Sequence, residues 1–171
     1  MMSATWAEGM CEAWNSTDGL TQELDGWIRN DKKRGYKLMR IYRRDCPDSP
    51  RIQLKVADQD GAVTCVEGGL ATDEELNSSC DYVMFATTRR WLEMGAGKYG
   101  PMWGMMSGRL KFEGPKWEAM KNMGPFKGFL QLVGKVPGDS ESCPTLPVEE
   151  GPEVETPEAE APEEQATGDV G

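Results

Sequence analysis

Residues 95–100 read GAGKYG, a match to the G-x-G-x-x-G pattern of dinucleotide-binding turns. That pattern holds a pyrophosphate only where it joins a strand to the N-terminus of a helix. Here a helical run, TTRRWLEM, precedes it and no strand stands directly before it, so a helix stop followed by a loop explains the glycines. The thiols are the next candidates for chemistry. There are five, Cys11, Cys46, Cys65, Cys80 and Cys143, and the chain has no histidine to activate any of them. A reactive thiolate would then need a Lys or Arg neighbour or a helix N-terminus, whereas Cys65 and Cys80 sit in or beside strand-like runs that suit a core. An odd count without C-x-x-C spacing suggests neither a disulfide framework nor a zinc knuckle, and reduced structural thiols are expected. The lack of histidine also removes Ser-His-Asp triads, zincin helices and His-rich metal sites. Glu113 and Glu118 fall at turns and helix starts, where capping accounts for them. No cofactor or metal site is expected, and the chain reads as a non-enzyme.

Methionine is the unusual feature. Seven of the eleven lie between Met84 and Met123, interleaved with Trp91, Tyr99, Trp103, Phe112 and Trp117. Such a stripe at helical spacing is ordinarily core, but the flexible, polarizable thioether also suits surfaces that adapt to variable apolar shapes. Short helices of this composition over a half-buried sheet could enclose an apolar ligand.

Charge divides the chain. The 171 residues carry a formal charge of −10, yet residues 1–138 carry +1, because eleven acidic and no basic side chains follow from Asp139 onward. All fourteen aromatic residues precede position 130, and six of the eleven prolines lie at or after Pro137. The core-forming material therefore ends where the acidic segment begins. We read one domain over residues 1–136 and a disordered acidic tail over 137–171, too poor in apolar side chains to offset its ordering entropy. The near-neutral body argues against non-specific nucleic-acid binding. No stretch approaches a membrane span, and the N-terminus lacks a basic start and an apolar signal run, so a cytoplasmic location is expected.

Elements follow from periodicity. Trp6, Met10 and Trp14 share a helix face ending near Asn15, and a second helix is expected over 21–30, with Leu24, Trp27 and Ile28 together. The period then changes to two. Residues 35–43 (GYKLMRIYR), the run RIQLKV from Arg51, and AVTCVEG after the Asp60-Gly61 turn give three meander strands. DYVMFAT from Asp81 is a fourth, and RLKFE from Arg109 a fifth. Between them Thr87 and Thr88 begin a helix with Trp91, and Pro101 suits the first turn of another. After Gly114-Pro115 a helix carries Trp117, Met120 and Met123. Gly124-Pro125 breaks or kinks it, and Phe126, Phe129, Leu130 and Val133 continue the face. The class is α+β, a five-stranded, mainly antiparallel sheet with helices over one face.

Residues 105–114, MMSGRLKFEG, followed by Trp117-Glu118-Ala119-Met120, resemble the sterol carrier protein 2 family, whose pattern is a Gly-Lys-Leu-Lys-Ile-x-Gly strand and then a helix containing Ala-Met. Arg109 replaces the first lysine and Phe112 the isoleucine. The strand and capped helix over 81–94 look like the family's other recognisable block. The resemblance covers about residues 1–136. It implies an apolar tunnel for a fatty acid, an acyl-CoA, or a sterol or isoprenoid-like lipid. Carried over, the tunnel would draw on Met102, Trp103, Met105 and Met106, then on Leu110 and Phe112 of the fifth strand. Trp117, Met120 and Met123 would follow, and then Phe126, Phe129, Leu130 and Val133. Two functions fit, a carrier of lipid and, alternatively, an accessory or scaffold subunit presenting lipid-like intermediates to a separate enzyme. The partners so implied are the lipid, at most a transient membrane contact, a partner enzyme and a second copy of the chain.

Overall fold

The computed structural model describes residues 1–145. Its sheet runs in the order β3-β2-β1-β4-β5. The strands are β1 (Tyr36–Arg43), β2 (Ile52–Gln59), β3 (Ala62–Leu70), β4 (Tyr82–Ala86) and β5 (Lys111–Glu113). β1, β2 and β3 form the expected meander, β4 joins β1 in parallel, and β5 closes the far edge antiparallel to β4. The parallel pair needs a crossover, which residues 71–80 supply together with a polar brace: Arg40 donates to the carbonyls of Thr72 and Glu74.

Register decides which face is buried. Met39 stands opposite Leu54 and Ile41 opposite Ile52, so these side chains, with Val56, Met84 and Ala86, form one apolar face under the helices. The opposite face is covered by stacked planar and cationic groups instead: Tyr42 lies against Phe85, Arg51 over Tyr42, and Lys55 and Arg34 over Tyr36.

On the apolar face lie α1 (Ala4–Asn15), α2 (Asp18–Thr21), α3 (Asp25–Ile28), α4 (Thr88–Gly95), α5 (Pro101–Met106), α6 (Lys116–Lys121) and α7 (Met123–Lys135). Ser3 caps α1 by accepting from the Trp6 N–H, and Trp6, Met10 and Trp14 are buried as their spacing requires. The Trp14 indole donates to the Val63 carbonyl at 2.9 Å, and Asn15 exchanges both its amide groups with the backbone of Cys65, which lashes α1 to β3. The helix expected over 21–30 is instead two single turns, α2 and α3. Gly19 and Gly26 are poor helix formers, and the buried Leu20, Leu24, Trp27 and Ile28 hold the chain in place by packing. The break expected at Gly124-Pro125 falls earlier, at Asn122. Pro125 then occupies the first turn of α7, where its missing N–H leaves no bond unmade.

α4 and α7 cross at two glycines. A Cβ on Gly95 would stand 2.6 Å from the Gly134 nitrogen, and one on Gly134 would stand 2.6 Å from the Gly95 oxygen. GAGKYG thus begins in a helix crossing and ends in the cap of α5, with Gly97 at φ +69° in the loop.

The thiols differ from expectation. Cys11 is bonded to Cys65 and Cys46 to Cys143, with Cα separations of 5.1 and 5.5 Å, and Cys80 alone is free and buried. Partners 54 and 97 residues apart leave no mark in local spacing. The second bond also corrects the start of the tail. Arg43 donates to the carbonyls of Ser140 and Ser142, Ser49 to that of Pro144, and the N-terminal ammonium to that of Asp139. Residues 139–144 are therefore fastened to the body. The acidic segment from 146 onward lies outside the described residues.

Candidate functional site

Between the sheet and the helices opens an apolar cleft. Its helical walls are Trp14, Leu20, Leu24, Trp27, Ala119, Phe126 and Phe129, and its floor is Met39, Tyr82, Met84 and Phe112. About 370 Å³ of space, the mouth included, lies outside atoms, much of it in seams narrower than a water molecule. Only about 40 Å³ of it admits a water-sized molecule, well below the roughly 300 to 1,000 Å³ of formed small-molecule sites, so the cleft is largely closed in this structure. Aromatic rings set the wall: Trp14 packs edge-on to Phe129, and Phe112 lies between Tyr82 and Phe126.

Behind Trp27 and Tyr82, beside the cleft, sits a polar cluster. Lys37, on the apolar face of β1, is fully buried, and its ammonium donates to Glu118 Oε1 at 2.5 Å. The Tyr82 hydroxyl donates to the same oxygen and accepts from the Trp27 indole N–H at 2.7 Å, while Asn30 donates to Glu118 Oε2 at 2.6 Å. The lysine also lies 4.3 Å from the centre of the Trp27 ring. Burial pushes the Lys37 amine below its ordinary value, against the pull of Glu118. Burial first, and the bond to Glu118 second, drive the Tyr82 phenol well above its usual range. The Tyr82 phenol therefore stays protonated near neutral pH. What the cluster does is tie α3, β1, β4 and α6 together through one carboxylate.

Outside this cluster a shallower, more polar groove runs between α3 and α6, past Glu23, Asn30, Trp117 and Lys121. It shares Trp27 and Asn122 with the apolar cleft. Polar groove and apolar cleft thus meet at the indole of Trp27.

The residues singled out from the sequence are divided by the fold. Phe112, Phe126 and Phe129 line the cleft. Leu110, Leu130 and Val133 are buried in the surrounding core, with Met105 and Met123 packed at its margin. Met102, Trp103, Met106, Trp117 and Met120 are exposed and do not face the cleft, although Trp117 lines the outer groove. The Met stripe of α5 has its inward side taken by Pro101 and Gly104, the latter against Leu110 and Met94, which turns Met102 and Met106 outward. Sequence reasoning missed Trp14, Leu20, Leu24, Trp27, Lys37 and Tyr82. A signal existed for Lys37: it shares parity with Met39 and Ile41, so a period-2 strand puts its amine on the apolar face.

A profile described as the SCP-2 sterol transfer family matches residues 21–127. The chain belongs to that family. Among solved structures, a sterol carrier protein 2 crystal structure is similar at 14% identity and TM-score 0.53, over 80% of this chain and 99% of that one. An apo sterol carrier protein 2 from Yarrowia lipolytica is 11% identical with TM-score 0.40, over 74% and 88% of the two chains. A ubiquinone synthesis protein with an SCP2 domain is 12% identical with TM-score 0.42, over 77% and 93%. A search of curated proteins by sequence gave no match. The crystal structure supports the fold, a mainly antiparallel five-stranded sheet with helices; the profile supports lipid binding or transfer as the general activity of this SCP-2 domain.

Proposed function

We propose that this SCP-2 domain is a non-catalytic carrier that holds one apolar lipid, with its chain among Phe112, Phe126 and Phe129 and its polar end toward Glu118 and the groove between α3 and α6. The observation that carries this is a cleft walled by aromatic and aliphatic side chains that shares Trp27 and Asn122 with a more polar groove lined by Glu118. The ionisable groups beside the cleft bind one another, which favours holding over chemistry. Burying a sixteen-carbon chain at ~0.8 kcal/mol per CH₂ is worth roughly 12 to 13 kcal/mol gross, set against association costs of about 4 to 15. A reversible carrier of fatty acid, acyl-CoA, or a sterol or isoprenoid-like ligand fits that balance. The seams are narrow, so uptake requires α6 to move outward with its Glu118.

The test is uptake of a fluorescent fatty acid, beside lipid mass spectrometry of an organic extract of the purified chain. Ala119→Trp and Leu24→Trp should each fill the cleft and abolish uptake in protein that still melts cooperatively. Undiminished uptake in both folded variants would remove the site from this cleft.

The expectation of a cytoplasmic location rested on the N-terminus and on the lack of a membrane span. Two disulfides favour an oxidising compartment instead. Among the described residues no helix is long and apolar enough to cross a membrane.

A further inference from the structure

We propose that α5, β5 and α6 form a docking surface for an anionic lipid bilayer. Among the described residues, five of the seven large apolar side chains that stand exposed fall within one stretch of chain: Met102, Trp103, Met106, Trp117 and Met120. Trp103 and Trp117 are 55% and 68% exposed, whereas Trp6, Trp14, Trp27 and Trp91 are buried. Isolated exposed apolar residues need no explanation; the grouping of five within one short stretch, on the two helices that flank β5 in the chain, is what calls for one. The stretch lies at the β5 edge of the sheet, and its α6 end borders the outer groove beside the cleft.

Charge identifies the occupant. Between Lys98 and Lys127 stand six cations, the others being Arg109, Lys111, Lys116 and Lys121, against two carboxylates, Glu113 and Glu118. Glu118 is turned inward to Lys37, so the outward face is more basic than the count suggests. The whole chain carries −10, which makes this local excess a feature of placement rather than of composition. Lysine is depleted from protein interfaces, whereas tryptophan flanked by lysine is the composition of a bilayer interface: the indole sits at headgroup depth and each cation is drawn to anionic headgroups.

The inference deepens the carrier reading, because a docked α6 would bring the groove to the membrane, and its test is independent of lipid uptake. The full oxidised chain is mixed with vesicles of phosphatidylcholine alone or of phosphatidylcholine with phosphatidylglycerol, and binding is read by co-sedimentation and by the blue shift of tryptophan emission. Binding to the anionic vesicles is expected, weakened by salt. It should fall about fivefold for each charge removed in Lys111→Gln, Lys116→Gln and Lys121→Gln. The pair Trp103→Ala and Trp117→Ala should abolish the blue shift, and both side chains are exposed enough for the fold to tolerate the change. Lys32→Gln with Lys33→Gln, exposed cations elsewhere, should bind as the parent does. No binding, equal binding to both vesicle compositions, or an equal loss in the Lys32 and Lys33 variant would overturn the proposal. Retained fatty-acid uptake beside absent vesicle binding would overturn the docking surface and leave the carrier standing.

Discussion

The ammonium of Lys37 and the carboxylate of Glu118, 81 positions apart, meet at 2.5 Å beside the indole of Trp27. The lysine is wholly buried, and the carboxylate, 16% exposed, borders the outer groove. One residue comes from a central strand and the other from the short helix over the cleft mouth, so the pair is also the latch of α6.

Breaking that pair from one side should be costly. Glu118→Gln leaves a buried ammonium without its counter-charge, for which about 3 to 5 kcal/mol is expected. The combination Lys37→Met with Glu118→Gln removes the buried charge altogether and should recover most of that loss. Chemical denaturation of the two single variants and the double variant reads the coupling; additive losses would show that the pair does not act as a unit.

The glycine crossing makes a second expectation. Gly134→Ala drives a methyl into the Gly95 carbonyl, and α4 must separate from α7, at about 1 to 3 kcal/mol for overpacking. Gly97→Ala meets left-handed strain of about 1 to 2 kcal/mol and should leave lipid uptake unchanged. Neither NAD nor ATP should raise the melting temperature. Nucleotide protection that Gly97→Ala abolishes would instead make GAGKYG a binding loop.

Thiol counting under denaturing, non-reducing conditions should find one free cysteine per chain, Cys80. Truncation after Gly138 removes Cys143 and the carbonyls that Arg43 holds, and the lost cross-link alone is typically worth about 2 to 4 kcal/mol. Truncation after Thr145 keeps all of these and should shift the melting temperature by only a few degrees. Similar melting of both truncated chains would mean that the fastening of residues 139–144 contributes little.

The acid limb of stability should report on Glu93. Arg90 first, then Arg89 and Tyr99, hold this carboxyl at about 2, below its ordinary 4.5. Its folded form is the stronger acid, so its contribution is complete above pH 4.5 and is lost as pH falls toward about 2. Glu93→Gln should flatten the stability profile in that window and leave its slope unchanged above it. An unaltered acid limb would show that the contacts at the end of α4 do not persist in solution.

The strands were legible because alternation is a local code. Ile52, Leu54 and Val56 against Gln53 and Lys55 declare a face whatever the neighbours are, and Asp60-Gly61 declares the turn after them. The same code carried the Trp6, Met10 and Trp14 helix and, through residues 105–114, the family. Its limit shows in α5. Met102, Met105 and Met106 satisfy a helical stripe, yet a stripe does not say which side meets the sheet, and Gly104 against Leu110 turned most of that sulfur to solvent. Pairings between distant residues lay beyond it altogether. Cys46 with Cys143, Lys37 with Glu118 and Gly95 with Gly134 each join segments that only the closed chain brings together, because the energy of a disulfide, an ion pair or a close crossing depends on separation in space and not along the sequence.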